Sequence, residues 1–171
     1  HERFHSFQRR RFAQYQTVNE TIDDSSILSS AFSDRSERER RILALALGEL
    51  RSTELKELSR LYLAVRRSRL DQVQPHTRIV EAHIERLEGS AHLFGYEALQ
   101  SSLTGSRAAA ADSIRSHLSA SLESYSAGFG PEWRLVRWRV YATGAAVGLI
   151  LDRLHVEWRL QLQRGASFPE L

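Results

Sequence analysis

The sequence predicts a mostly α-helical fold in one domain covering residues 1–171. Apolar residues recur at helical spacing through most of the chain, whereas stretches that alternate apolar and polar residues are scarce. A length of 171 residues suits one domain with a sizeable core. A composition of 42% hydrophobic and 26% charged residues is typical of a folded globular protein.

The first half of the chain is predicted to contain an N-terminal helix and a helical insert. Residues 1–19 contain neither Gly nor Pro and predict one helix. A polar segment then predicts a loop, after which a helical insert is expected over 34–74. Ser33 or Asp34 is placed to cap the start of this insert, and Pro75 is placed to stop it.

The second half is predicted to be helical as well. One long helix is expected over 77–100, and further helices are expected over 107–163. SSLTGS predicts a linker between them, GFGP predicts a turn, and Pro131 suits the first turn of a helix.

The helix expected over 77–100 carries an apolar stripe and a polar stripe. The apolar stripe steps by three and four residues and comprises Val80, Ile84, Leu87, Ala91, Phe94 and Ala98. The polar stripe lies about 100° around the helix and comprises Glu81, Glu85, Glu88 and His92. Gly89 interrupts the helix at a cost of about 1 kcal/mol relative to alanine, which predicts that another backbone comes close to it.

Composition excludes several classes of site. The chain contains no cysteine, so disulfides and thiolate metal sites are excluded, and any metal must be held by His, Asp or Glu. No apolar run approaches the roughly 18–20 residues of a membrane span. The positive charge is almost entirely arginine, and the arginine runs at 9–11 and 66–69 lie beside acidic residues. Both runs are interpreted as solvated helix faces, so nucleic-acid binding is not expected.

The chain begins at His1 and contains no methionine. We therefore expect an N-terminally truncated piece whose targeting signal and upstream sheet are missing. A secreted or periplasmic location is favoured by this start and by the lack of cysteine. The sequence leaves the oligomeric state open.

The first eight residues, HERFHSFQ, contain the spacing H-E-x-x-H. His1 and His5 project from one helix face about one turn apart, which lets two ring nitrogens bind one zinc ion at about 2.0–2.1 Å. Glu2 is then placed to take a proton from a water molecule at the metal. The alternative interpretation is a pair of surface histidines on an ordinary helix.

A zinc site needs a third ligand, and three acidic residues are candidates. Glu20 and Asp24 follow the motif closely, whereas Glu88 lies far downstream of both histidines. Glu88, however, directly precedes the glycine at which a close backbone approach is expected.

Two later segments carry further motifs: residues 86–94 are RLEGSAHLF, and residues 141–146 are YATGAA. They are similar to the N-E-G-x-A helix and the Y-x-K-G-A segment of gluzincin metallopeptidases, in particular the aminopeptidase type related to leukotriene A4 hydrolase. The elements follow in the family's order, with H-E-x-x-H first. The chain also resembles uncharacterised bacterial proteins with an HExFHxxQ motif, a helical insert and an EGxA helix.

The resemblance implies a zinc metallopeptidase with a zincin-like catalytic domain. It implies that His1, His5 and Glu88 are the zinc ligands. It further implies that Glu2 is the general base and that Tyr141 donates a hydrogen bond to the oxyanion. The expected cofactor is Zn²⁺, and the expected substrate is a peptide or protein whose peptide bonds are hydrolysed.

The resemblance covers three short segments, and the chain departs from the family between and within them. Far more residues separate His5 from Glu88 than the family places there, because the helical insert intervenes. Leu87 stands where the family has asparagine, and Thr143 stands where it has lysine. These departures affect the aminopeptidase specificity more than they affect zinc binding.

Other polar residues near these motifs have two interpretations each. Glu81 and Glu85 either orient a ligand histidine through its second ring nitrogen or form a solvated face. His92 is either a group beside the metal or substrate, or an ordinary helix histidine. The remaining histidines lack ligand spacing and are expected to be structural or exposed, namely His76, His83, His117 and His155.

Two alternatives to a zinc metallopeptidase remain open. The first is a non-catalytic helical interaction domain with a structural or vestigial metal site. An exposed apolar groove together with a closed or absent metal site would favour this interpretation. The second is a copper site at a mature N-terminal His1, which is disfavoured because such sites lie on β-sandwiches.

Overall fold

The computed structural model describes residues 1–13, 18–124 and 132–170, and these residues are mostly helical with no strand among them. This confirms the predicted mostly α class. None of the described helices has the length and apolar character needed to cross a membrane. The helical elements are α1 Glu2–Arg11, α2 Ser30–Gly48, α3 Ser52–Leu70, α4 Pro75–Ile84, a π-helical segment Glu85–Gly89, α5 Ser90–Thr104, α6 Arg107–Ser124, α7 Glu132–Arg153 and α8 Trp158–Gln163.

The first helix is shorter than the sequence suggests. α1 ends at Arg11 rather than at residue 19. Phe12 leaves the helix in an extended conformation, with φ −84° and ψ 129°, and buries its ring in the core. Burial of this aromatic ring outweighs the helical propensity of the residues around it. Residues 14–17 lie outside the described range.

The caps at both ends of the helical insert also differ from the expectation. The Ser29 hydroxyl accepts the Phe32 N–H and caps α2, so Ser33 and Asp34 lie inside the helix instead of capping it. Pro75 does not stop the insert but begins α4, because a proline in the first turn of a helix loses no hydrogen bond. The insert thus consists of α2 and α3.

α4, the π segment and α5 form one continuous helix that is longer than expected at both ends. It runs from Pro75 to Thr104, and Gly105 ends it in the left-handed conformation with φ 61°. Most of SSLTGS is therefore helical rather than a linker. The predicted GFGP turn lies outside the described residues.

α7 forms the centre of the fold. Residues 140–151 are buried apart from the half-buried Tyr141, and α7 packs against α2, α5, α6 and the π segment. Several of these buried residues are small, among them Ala142, Ala145 and Ala146. Small side chains allow neighbouring helices to approach closely without leaving voids.

The close backbone approach predicted at Gly89 is confirmed, and its partner is Gly144 of α7. A Cβ atom added to Gly89 would lie 2.6 Å from the Gly144 Cα atom. A Cβ atom added to Gly144 would lie 2.8 Å from the Glu85 Cγ atom and 2.9 Å from the Gly89 Cα atom. Beside this contact, the Thr143 hydroxyl donates to Glu85 Oε1 at 2.8 Å. The π segment is therefore fixed directly to α7.

We expect Gly144→Ala to destabilise the protein by about 1–3 kcal/mol, because the new methyl group overlaps backbone atoms that have no room to move. Denaturant unfolding measures this change. Gly48→Ala is the matched control, since a Cβ atom at Gly48 meets nothing within 4 Å. The control is expected to be neutral or slightly stabilising; equal effects of the two substitutions would contradict the importance of the glycine contact.

A cluster of buried charges lies among α2, α3, α4, the π segment and α7. We call it the arginine–glutamate cluster, and it comprises Glu39, Glu81, Glu85, Arg66, Arg69 and Arg139. The interpretation of the arginine run at 66–69 as a solvated face is therefore wrong for Arg66 and Arg69, although Arg67 is exposed. Glu81 and Glu85 likewise form no solvated face and bond to arginines instead of orienting a histidine.

Hydrogen-bonded ion pairs make this burial possible. Arg69 bonds to two glutamates. Its Nε atom lies 2.6 Å from Glu39 Oε1, and its Nη1 atom lies 2.8 Å from Glu81 Oε2. Arg66 forms two parallel bonds of 2.9 and 2.7 Å with Glu85. Burial raises the pKa of Glu81, but the arginines beside it outweigh this effect and hold that pKa well below its usual range. The cluster therefore holds the π segment in place from its other side.

Candidate metal centre

The structure brings His1, His5 and Glu88 together. His1 caps the start of α1, His5 lies one turn into it, and Glu88 lies in the π segment. The Nε2 atoms of the two histidines are 2.9 Å apart. The Glu88 Oε2 atom lies 3.3 Å from His1 Nε2 and 3.1 Å from His5 Nε2. Within the described ranges, these three residues are the group whose side chains could hold a metal ion.

The three atoms fit the ligand positions of a tetrahedral zinc ion. Ligands about 2.0–2.1 Å from zinc are about 3.3 Å apart along the edges of a tetrahedron, close to the three distances measured here. Two imidazoles and one carboxylate are also a donor set that zinc accepts. The His1 side chain is 31% exposed, whereas those of His5 and Glu88 are 10% and 13% exposed. The site therefore opens to solvent on the side of His1.

The π segment explains why Glu88 points in a different direction from Glu81 and Glu85, although all three belong to the polar stripe predicted from the sequence. In a regular α-helix Glu81, Glu85 and Glu88 would share one face. A π turn closes with i→i+5 hydrogen bonds and holds one more residue than an α turn, which rotates Glu88 away from Glu85. Glu81 and Glu85 consequently enter the arginine–glutamate cluster, while Glu88 meets α1. Such π turns within helices are frequent at functional sites.

Glu2 follows His1 in sequence, but its carboxylate is not part of the group formed by His1, His5 and Glu88. It occupies the first turn of α1 and is exposed. An exposed carboxylate next to His1 has access to water, which the role of a general base requires. Glu2, the candidate base, is therefore not itself positioned as a metal ligand.

Tyr141 and His92 flank His1. The Tyr141 ring is stacked on the His1 ring, with centroids 5.9 Å apart and planes 11° apart. The His92 ring lies 6.3 Å from His1 and 6.0 Å from Tyr141. Burial and the nearby His117 lower the pKa of His92 to about 4. His92 is therefore neutral near pH 7 and offers one hydrogen-bond donor and one acceptor beside the site.

The other two acidic candidates for a third ligand serve elsewhere. Asp24 caps the 3-10 turn Ser25–Leu28 through the Ser26 N–H, and it accepts hydrogen bonds from the Gln74 N–H and the Thr77 hydroxyl, each at 2.8 Å. Glu20 is exposed and lies 3.9 Å from His83. Asp24 therefore links the segment before α2 to the start of α4 and is not placed at the metal centre.

We expect Asp24→Asn to destabilise the protein by about 1–2 kcal/mol at neutral pH. Burial raises the pKa of Asp24, but hydrogen bonds from Ser26, Gln74 and Thr77 outweigh it and lower that pKa from 3.8 to about 2. The stabilisation that the ionised Asp24 carboxylate provides is complete above the pKa of this group in the unfolded state. It is lost as pH falls from about 4 to about 2. Chemical unfolding of the wild type and of Asp24→Asn between pH 4 and pH 2 checks the expectation. A difference in their free energies of unfolding that grows on acidification contradicts it.

Gln8 is the last residue of the HExFHxxQ motif, but the sequence predicted no role for it; it is completely buried behind His5. Its Oε1 atom lies 2.7 Å from His5 Nδ1. Its Nε2 atom lies 2.8 Å from the Leu87 carbonyl oxygen and 2.9 Å from the Ser90 hydroxyl. The available signal is the position of Gln8 three residues after His5, on the same face of α1.

The remaining histidines lie away from the candidate ligand group. His83 is buried, whereas His76, His117 and His155 are exposed, which agrees with the expectation that they are structural or exposed. The chain matches no protein-family model, no curated protein and no solved structure.

Proposed function

We propose that the chain forms the metal-binding domain of a zincin-like, zinc-dependent metallopeptidase. One observation carries the proposal: the ligand atoms of His1, His5 and Glu88 lie within 3.3 Å of one another at the spacing of a zinc site. Gathering a carboxylate and two imidazoles into a half-buried group costs desolvation energy, and a bound cation offsets that cost.

The side chains around the centre suit hydrolysis of a peptide or protein substrate. Zinc in such a centre supplies Lewis-acid chemistry that activates water and polarises a carbonyl group. Glu2 takes the proton of the attacking water and passes it to the leaving amine. The Tyr141 hydroxyl donates a hydrogen bond to the oxyanion that forms on the peptide carbonyl. His1, His5 and Glu88 hold the ion and leave the side of His1 open for the substrate.

Metal analysis of the purified protein tests the first element of this proposal. After expression in zinc-supplemented medium we expect about one equivalent of zinc per chain. Less than about a tenth of an equivalent contradicts the proposal. Glu88→Gln is expected to lower the zinc content, because an amide oxygen is a weaker zinc ligand than a carboxylate. Glu123→Gln, an exposed change on α6, is the control that should retain the metal.

An apolar groove favours a second candidate function, a helical interaction domain with a structural metal site. The groove measures about 550 Å³ and lies beside α1, α5 and α8. Phe7 and Leu160 in its wall are 41% and 52% exposed, and the other apolar lining residues are Phe4, Phe12, Phe94, Trp158 and Leu162. Incubation of zinc-loaded protein with a mixed peptide library separates the two functions. Full zinc occupancy without any cleavage would favour the interaction domain.

A further inference from the structure

We propose that Gln8 is a positioning residue of the metal centre. It fixes His5 in the tautomer that presents a lone pair at Nε2, and it sets the position of α1 against the π segment that carries Glu88. This inference rests on the metal centre of the proposed function and adds a residue that its ligand set and chemistry do not include.

The orientation of the Gln8 amide follows from its partners. The Leu87 carbonyl oxygen is an acceptor without a hydrogen, so the Gln8 atom 2.8 Å from it must be the NH₂ group. The Ser90 hydroxyl donates its hydrogen to the Arg86 carbonyl at 2.6 Å. Its lone pair therefore remains for the second hydrogen of the same NH₂ group, at 2.9 Å. Both amide hydrogens are used, and the Gln8 oxygen must face His5.

This orientation decides the tautomer of His5. The Gln8 Oε1 atom accepts but cannot donate, so His5 Nδ1, 2.7 Å away, carries the ring hydrogen. In a neutral ring the other nitrogen then holds a lone pair. That nitrogen, Nε2, faces His1 Nε2 at 2.9 Å and Glu88 Oε2 at 3.1 Å. His5 is thus held with the lone pair of Nε2 directed toward the candidate metal position.

The same amide sets the distance between the two ligand-bearing elements. Leu87 directly precedes Glu88 in the π segment, and its carbonyl also accepts the Ser90 N–H. Gln8 has no exposed surface, and a buried amide costs about 1–3 kcal/mol when its hydrogen bonds are not made. A shift of α1 along the π segment would break these bonds. Gln8 therefore favours the one register in which His5 and Glu88 meet.

Gln8→Leu and Gln8→Glu separate the two roles. Gln8→Leu keeps the approximate volume and removes all three hydrogen bonds. Gln8→Glu keeps an acceptor facing His5 Nδ1 but places a carboxylate oxygen against the Leu87 carbonyl. Gln161→Leu is the control, because Gln161 is exposed and donates only locally, to the carbonyl of Glu157 just ahead of α8. Circular dichroism establishes that each variant is folded.

The first readout is ¹⁵N NMR of the metal-free protein at a fixed pH near 8, which reports which His5 nitrogen is protonated. We expect the Nδ1–H tautomer in the wild type, in Gln161→Leu and in Gln8→Glu, and a mixture of tautomers in Gln8→Leu. An Nδ1–H tautomer that persists in Gln8→Leu overturns the proposal. If Gln8→Leu does not fold, a mixture of His5 tautomers in Gln8→Glu overturns the proposal instead.

The second readout is zinc affinity, measured by competition with a chelator. Loss of an outer partner of a ligand histidine lowers metal affinity by about 10–100-fold, and we expect a loss of this size in Gln8→Leu and none in Gln161→Leu. An unchanged affinity in Gln8→Leu overturns the role of Gln8. If the wild type itself binds no zinc, the proposed function fails, yet the tautomer of metal-free His5 still decides the role of Gln8.

Discussion

Replacing Glu2 by glutamine is expected to abolish peptide hydrolysis while leaving the zinc content at the wild-type level. Glutamine has the shape of glutamate but cannot accept a proton near neutral pH. General-base catalysis contributes about 10²–10⁴-fold to rate, so kcat should fall by at least about 100-fold. Glu2 is exposed and lies outside the group of three ligand atoms, so the ion should stay bound.

The measurement combines a cleavage assay with metal analysis of the same sample. Glu157→Gln, an exposed glutamate ahead of α8, serves as the matched control and should retain both activity and zinc. Hydrolysis that survives in Glu2→Gln would remove Glu2 as the base. Loss of zinc together with hydrolysis would instead make Glu2 part of the metal site.

Replacing Arg69 by methionine is expected to destabilise the fold by about 3–5 kcal/mol, because it removes one of the two arginines that bridge the buried carboxylates of Glu39 and Glu81. Arg139 is the other, and it lies farther from Glu39 than Arg69 does. A domain of this kind is stable by about 5–15 kcal/mol in total, so the loss should be a large share of the free energy of unfolding. Chemical denaturation gives the free energy of unfolding.

Arg67→Met on the same helix is the matched control for this prediction. Arg67 is exposed, so its replacement should change the stability by less than about 0.5 kcal/mol. A small effect at Arg69 would mean that water or rearranged arginines satisfy the two carboxylates. It would also weaken the inference that the arginine–glutamate cluster holds the π segment in place.

The helical class and the principal contacts of the centre could be predicted from the sequence. Helical periodicity is a local property, and the polar stripe of the helix placed Glu88 beside a glycine of close approach. Gly89 does meet another backbone, that of Gly144. Two histidines spaced i, i+4 share a face of α1 regardless of the rest of the fold, which is why the motif alone specified two of the three candidate ligands.

The arginine–glutamate cluster could not be predicted in this way. Arg66 and Arg69 have polar and charged neighbours in sequence, and a polar face of a helix normally faces solvent. Their burial depends on glutamates from α2, α4 and the π segment that only the tertiary fold brings near. The contacts of Gln8 were not predicted for the same reason, although the residue stands in the HExFHxxQ motif, since its partner Leu87 lies far away in sequence.

The π segment has a consequence for how the chain tolerates changes in length. A π turn accommodates one more residue than an α turn while the helix on either side keeps nearly the same phase. Deleting one residue from 85–89 would therefore restore a regular α-helix and leave α4 and α5 close to their present orientation. A homologue that lacks this single residue is expected to retain the helical core and the arginine partners of α4. The change would be confined to the π segment, where Glu88 and the Leu87 carbonyl make their contacts with α1.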